Sequence, residues 1–203
     1  MKTLPKILLA LTAVAVTSLF SVQPAQAYTV TLEQIGANVV GTGSGALNFI
    51  DLNFDSFLHT NAQINPSGGT ILTGLQDQVF AEDIYTGSIT GPTSFGSGGL
   101  TNASSGSGFL VGINGALDQV FIPGGITPSQ PLPGSATWNN ATFASLGLTP
   151  GTYEWTWGTG TNQNFTLEIG AAAVPDTAST LGLLFVSVIA LFGLNRFRHV
   201  QFA

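Results

Sequence analysis

The sequence predicts an all-β domain, an antiparallel β-sandwich of jelly-roll type, flanked by an N-terminal signal helix and a C-terminal transmembrane helix. Three observations carry that expectation. Apolar and polar residues alternate over short runs, clusters of Gly, Asn, Ser and Pro punctuate the runs, and only one short piece carries helix markers.

The runs follow in order along the chain. Tyr28 to Gln34 places Tyr28, Val30 and Leu32 on one face, and Ala46 to Phe54 does the same for Ile50, Leu52 and Phe54. Further strands are expected at 78–81, 84–90, 109–113, 119–122, 152–157 and 164–169, with turns at 66–69 and 123–125. Residues 91–108 and 123–134 have loop composition. The helix-like piece is Asn140 to Gly147, with Asn as its cap and Gly as its stop.

Charge is distributed unevenly. The four basic residues are Lys2, Lys6, Arg196 and Arg198, and residues 28–174 contain no Lys or Arg. The same stretch holds nine acids: Glu33, Asp51, Asp55, Asp77, Glu82, Asp83, Asp118, Glu154 and Glu168. A nucleic-acid binder needs cations to displace phosphate counterions, so that class is excluded for this stretch, and phosphate-bearing substrates fit it poorly. Cysteine is absent, so neither disulfides nor thiolate ligands hold the fold. Core burial must.

The ends are targeting segments in composition. Lys2 and Lys6 precede an apolar run from Ile7 to Phe20, and Ala25-Gln26-Ala27 supplies a small-x-small cleavage site for signal peptidase. The mature chain is expected to begin near Tyr28. At the other end residues 178–194 are low in polarity, a length of about 25 Å as a helix, and a transmembrane helix is expected at about 179–195. Arg196 and Arg198 favour the cytoplasmic side of that boundary, which leaves the preceding domain outside. The expected organisation is therefore 1–27 signal peptide, 28–170 ectodomain and 171–203 sorting tail.

Val174-Pro175-Asp176-Thr177-Ala178-Ser179-Thr180, then an apolar helix, then Arg196 and Arg198, resembles the PEP-CTERM sorting signal in its Val-Pro-Asp-Thr/Ser variant. Residues 134–170 and 39–45 look like domains found ahead of such tails. The resemblance implies export to an exopolysaccharide-rich surface or matrix and recognition of the tail by exosortase, a membrane transpeptidase or protease. It implies no defined chemistry for the domain. This chain has Ala178 where the variant has Gly, and it continues past the arginines to Ala203. A GPI signal is the rival for the tail: Gly170 to Ala173 could be its small-residue site, and the sequons at Asn102, Asn140 and Asn164 would suit a secreted eukaryotic protein. GPI tails end apolar, however, and this one ends basic and polar.

Several side chains are candidates for chemistry. His59 is the lone His of the 28–170 stretch, too few for a zinc site and without a nucleophile elbow to serve. Glu154 and Glu168, on two neighbouring expected strands, could form a glycosidase-type carboxylate pair. Asp51, Asn53 and Asp55 put three oxygen side chains on one strand face, a candidate calcium site, although Ser56 and Ala62 stand where a calcium loop needs Gly and Glu. Asp77, Glu82 and Asp83 form a second acidic cluster. Tyr153, Trp155 and Trp157 share a face, with Trp138 a loop away. That row serves either as core or as a glycan-stacking platform, with Trp155 and Trp157 as its candidate contacts. No cofactor is required, calcium being the one candidate. The expected function is a non-enzymatic surface or matrix protein, and the alternative is a secreted carbohydrate-binding module or carboxylate-dependent hydrolase.

Overall fold

The computed structural model describes residues 27–76 and 81–170. They form thirteen strands and one turn of 3-10 helix at Pro66–Gly68. In chain order the strands are β1 (Tyr28–Ile35), β2 (Asn38–Ser44), β3 (Asn53–Leu58), β4 (Gln63–Asn65), β5 (Thr70–Thr73), β6 (Glu82–Thr86) and β7 (Thr101–Asn102). They continue with β8 (Ser105–Gly108), β9 (Val111–Asn114), β10 (Gln119–Pro123), β11 (Gly134–Trp138), β12 (Gly151–Thr156) and β13 (Asn164–Ile169). Two sheets result: six strands in the order β12-β13-β1-β2-β11-β8, and seven in the order β3-β6-β10-β9-β5-β4-β7. The all-β expectation holds. The predicted signal and transmembrane helices lie outside the described residues, and among the described residues no helix is long and apolar enough to cross a membrane.

The sheets are not purely antiparallel. β1 and β13 pair in parallel, Tyr28 opposite Phe165 and Leu32 opposite Ile169, with β2 antiparallel on the other side of β1. Both strands alternate cleanly, Tyr28, Val30 and Leu32 on one and Phe165, Leu167 and Ile169 on the other, all buried. Alternation fixes which face goes inward but not the neighbour or its direction, so sequence pattern could not reveal this pairing.

Side chains from both sheets merge in one hydrophobic core. β5 packs across the gap against β2 and β11. Close approach there is a matter of glycine. A Cβ on Gly43 would stand 2.2 Å from the Tyr28 hydroxyl oxygen and 2.8 Å from Thr73 Oγ1, and one on Gly41 would stand 2.9 Å from Leu32 Cδ2. β2 therefore reads Val-Val-Gly-Thr-Gly-Ser, poor in the side chains that advertise strands, because its inward positions are reserved for Tyr28, Leu32 and Thr73.

Two expected elements are corrected. Ala46 to Phe54 is not one strand: Ala46 makes only isolated bridges to Ala27 and Pro131, residues 47–52 turn, and β3 starts at Asn53. Leu47 and Leu52 turn into the core while Ile50 is 69% exposed. The backbone N–H of Leu52 closes that turn on Phe49 O at 3.0 Å. The helix-like piece is a single finished turn. Thr142, not Asn140, caps it: the Ser145 N–H donates to Thr142 Oγ1 at 3.0 Å, and the Thr142 N–H donates to Ser145 Oγ at 2.8 Å. Gly147, at φ 62°, ends it, with Gly147 N–H on Ala144 O and Leu148 N–H on Phe143 O.

Gly43→Ala is expected to lower stability by about 2 kcal/mol, because the new methyl must displace a buried phenol. Gly99→Ala, where a Cβ meets nothing within 4 Å, is the control and is expected to be near neutral. Urea unfolding midpoints of the two variants check the contrast.

Candidate functional site

The tryptophan row is core. Alternation along β12 turns Trp155 inward, and Trp157, one residue beyond the strand, follows it; they are 0% and 2% exposed, and Trp138 on β11 is 2% exposed. Each indole N–H donates to a backbone carbonyl distant in sequence: Trp155 to Pro92 O at 2.7 Å, Trp157 to Asn48 O at 2.8 Å, and Trp138 to Thr101 O on β7 at 3.2 Å. Trp155 also meets Phe165 and Phe95 edge-on. Tyr153 is half-buried, its hydroxyl donating to Thr149 O at 2.9 Å. Sealed rings present no face to a sugar, so Trp155 and Trp157 form no glycan platform.

The oxygen-rich stretch at β3 does not gather. Asp51 lies in the turn before the strand, and its Oδ2 accepts the Gln163 side-chain N–H at 2.7 Å. The side chain of that glutamine also receives the Gly160 N–H, so the pair ties the β12–β13 turn to the segment before β3. Asn53 opens β3. Asp55 falls at the irregularity between Phe54 and Ser56, where β3 shifts register against β6, and takes the Ser56 hydroxyl at 2.9 Å. Among the described residues no group of three His, Cys, Asp or Glu side chains could hold a metal ion.

Glu154 and Glu168 share the solvent face of the β12–β13 hairpin, but on a diagonal: Glu154 is opposite Thr166, and Glu168 is opposite Thr152. Asn164 Nδ2 donates to Glu154 Oε1 at 2.9 Å. The face they belong to is a field of hydroxyls. One row runs Thr152, Glu168, Thr31, Thr42, Ser135, Ser107 across all six strands, and the Ser135 and Ser107 hydroxyls are bonded at 2.9 Å.

The second acidic cluster splits. Asp77 lies outside the described residues. Glu82 and Asp83 are neighbours on β6 and so point to opposite faces, Glu82 sharing the buried side of Ile84. Glu82 is 3% exposed, the one buried acid among the described residues. The backbone N–H groups of Thr60 and of Glu82 itself donate to its carboxylate, while Oε2 has no hydrogen-bond partner among the described residues. Burial raises its pKa above the ordinary 4.5, with the two N–H donors and the charge of His59 pulling the other way. Sequence reasoning grouped Glu82 with its acidic neighbours. The usable signal was its two-residue spacing from Ile84.

Beside Glu82 opens a cleft of about 600 Å³, at the start of β6, the end of β10 and the link from β8 to β9. Leu75, Phe109, Leu110, Pro123, Ile126 and Pro133 give it apolar walls, and Glu82 is the one ionisable residue among its described lining. A concave apolar wall with one polar group is the usual anatomy of a small-molecule site. The arrangement can bind and orient. Of the remaining candidates, His59 is exposed just past β3, near enough to Glu82 for its charge to be felt. Ala27 is half-buried in a bridge to Ala46. Ala25, Val174, Pro175, Asp176, Thr177, Ala178, Ser179, Thr180, Arg196 and Arg198 lie outside the described residues.

A carboxyl that holds its proton more tightly when folded than when unfolded stabilises the fold fully below its unfolded value. That contribution is lost as pH rises through the raised folded one. Wild-type stability is therefore expected to fall relative to Glu82→Gln as pH increases from about 4.5. Urea midpoints of the two proteins across the acid-to-neutral range check the sign. Compared with protein-family models, curated proteins and solved structures, the chain matches none.

Proposed function

We propose that this chain is an exported, non-enzymatic surface or matrix protein, delivered by its N-terminal signal peptide and sorted, and processed, through its tail by exosortase. Its domain is a β-sandwich of jelly-roll type that resides outside the membrane, in contact with exopolysaccharide. The observation that carries this reading is the placement of cationic side chains. Lys2 and Lys6 precede one apolar run, Arg196 and Arg198 follow the other, and residues 28–174 between them have none. That order suits a polypeptide whose middle is translocated and whose ends face the cytoplasm.

The hydroxyl and carboxylate face of the six-stranded sheet supports the same reading. It offers hydrogen bonds to a hydrated, neutral polymer and nothing to an anionic one. A second reading, carbohydrate binding by this domain, draws on that face and not on the tryptophans. Hydrolysis by Glu154 and Glu168 would have to take place on the same open face.

The intact mass of protein released from the producing cells tests the proposal. It is expected to correspond to a chain that begins at Tyr28 and ends near Asp176. Replacement of Pro175 and Asp176 by Ala is expected to leave the tail in place and the protein with the membrane. Full-length protein in the cytosol, with both ends intact, contradicts it.

A further inference from the structure

We propose that the cleft beside Glu82 is a binding site for a small apolar amine, whose ammonium group meets the free carboxyl oxygen while its hydrocarbon body lies against Leu110, Ile126 and Pro133. This goes beyond the sorting of the chain and does not depend on it. Three features of the molecule converge on that ligand.

The first is size and lining. About 600 Å³ bounded by leucine, isoleucine, phenylalanine and proline favours a hydrocarbon body of a few to a dozen carbons over a sugar. The second is the unmet acceptor. Glu82 is 3% exposed, and two backbone N–H groups hold its carboxylate, yet Oε2 has no partner among the described residues. A buried polar atom left so is destabilising, and a ligand donor supplies what it lacks. The third is charge. Residues 28–174 carry nine acids and no Lys or Arg, so a cation is drawn to this domain and an anion is repelled. An N–H donor with a positive charge satisfies the second and third features together, which a neutral alcohol does not and a carboxylic acid opposes.

Three probes of one shape and different head groups test this: n-hexylamine, 1-hexanol and hexanoate, titrated calorimetrically at neutral pH into the protein purified from its producing cells. The amine is expected to bind about tenfold or more tighter than the alcohol, the margin of a hydrogen bond to a charged group, and hexanoate is expected not to bind. In Glu82→Gln, amine and alcohol are expected to converge, and surviving alcohol binding shows that the cleft is still formed. Ala81→Phe, which fills the cleft from its rim, is expected to abolish binding of all three with the melting temperature preserved. Amine binding unchanged in Glu82→Gln, equal binding of all three probes, or no binding by any probe to the wild type overturns the proposal.

Discussion

No lysine or arginine stands between residues 28 and 174, and the architecture of the domain follows from that constraint. Acids there have no lysine or arginine to neutralise them. With one exception the described ones are not buried, and three take amide or hydroxyl partners: Asp51 from Gln163, Asp55 from Ser56, Glu154 from Asn164. Cohesion then falls to apolar burial, which is non-directional, and to neutral hydrogen bonds, which are not. A domain built this way is indifferent to counter-ions inside and repels anions outside.

The three tryptophans supply the directional part. Each places its ring in the core and its N–H on the carbonyl of a segment far away in sequence: Pro92, Asn48 and Thr101. Two of these carbonyls, at Pro92 and Asn48, lie in connections between strands and the third belongs to β7; each is fastened to the core by one indole bond, in a site from which water is excluded. The same economy explains the exposed face of the six-stranded sheet, where Thr and Ser rows leave the surface polar without charge of the wrong sign. Glu82 departs from the pattern. It is an acid taken inside, next to a cavity, with one oxygen unmet, and such a group is a marker of function more often than of stability.

Much of the strand content was legible. β1, β12 and β13 stand within a residue or so of where alternation puts them, because each alternates large apolar side chains with Thr, Glu or Asn. β10 was legible as a short apolar run, Val120 to Ile122, ahead of a Pro-Gly-Gly turn. β2, β8 and β11 were hidden, since close packing requires glycine where a strand would otherwise show its bulky residues: Gly43 against Tyr28, Gly106 against the Gly74 carbonyl, Gly134 against Phe109. Ala46 to Phe54 misled for the opposite reason. Its alternation is real, but the chain turns at Ile50 and lays β3 on a sheet edge, where Phe54 and Phe57 are largely exposed. As for the site, composition picked out residues but not their surroundings. In sequence Trp155 and Trp157 fit core better than platform without excluding the latter, and burial separates the two. The cleft joins residues from 75 to 133 and has no sequence signature at all.

The dependence of stability on salt tests the underlying account most directly. If the folded domain contains mutually repelling acids without lysine or arginine partners, sodium chloride chiefly screens repulsion and has little attraction to weaken. The urea midpoint of the protein at neutral pH is then expected to hold steady or rise as salt increases from low to physiological levels and beyond. A marked fall over that range would mean that ion pairing holds the fold, and would contradict the account.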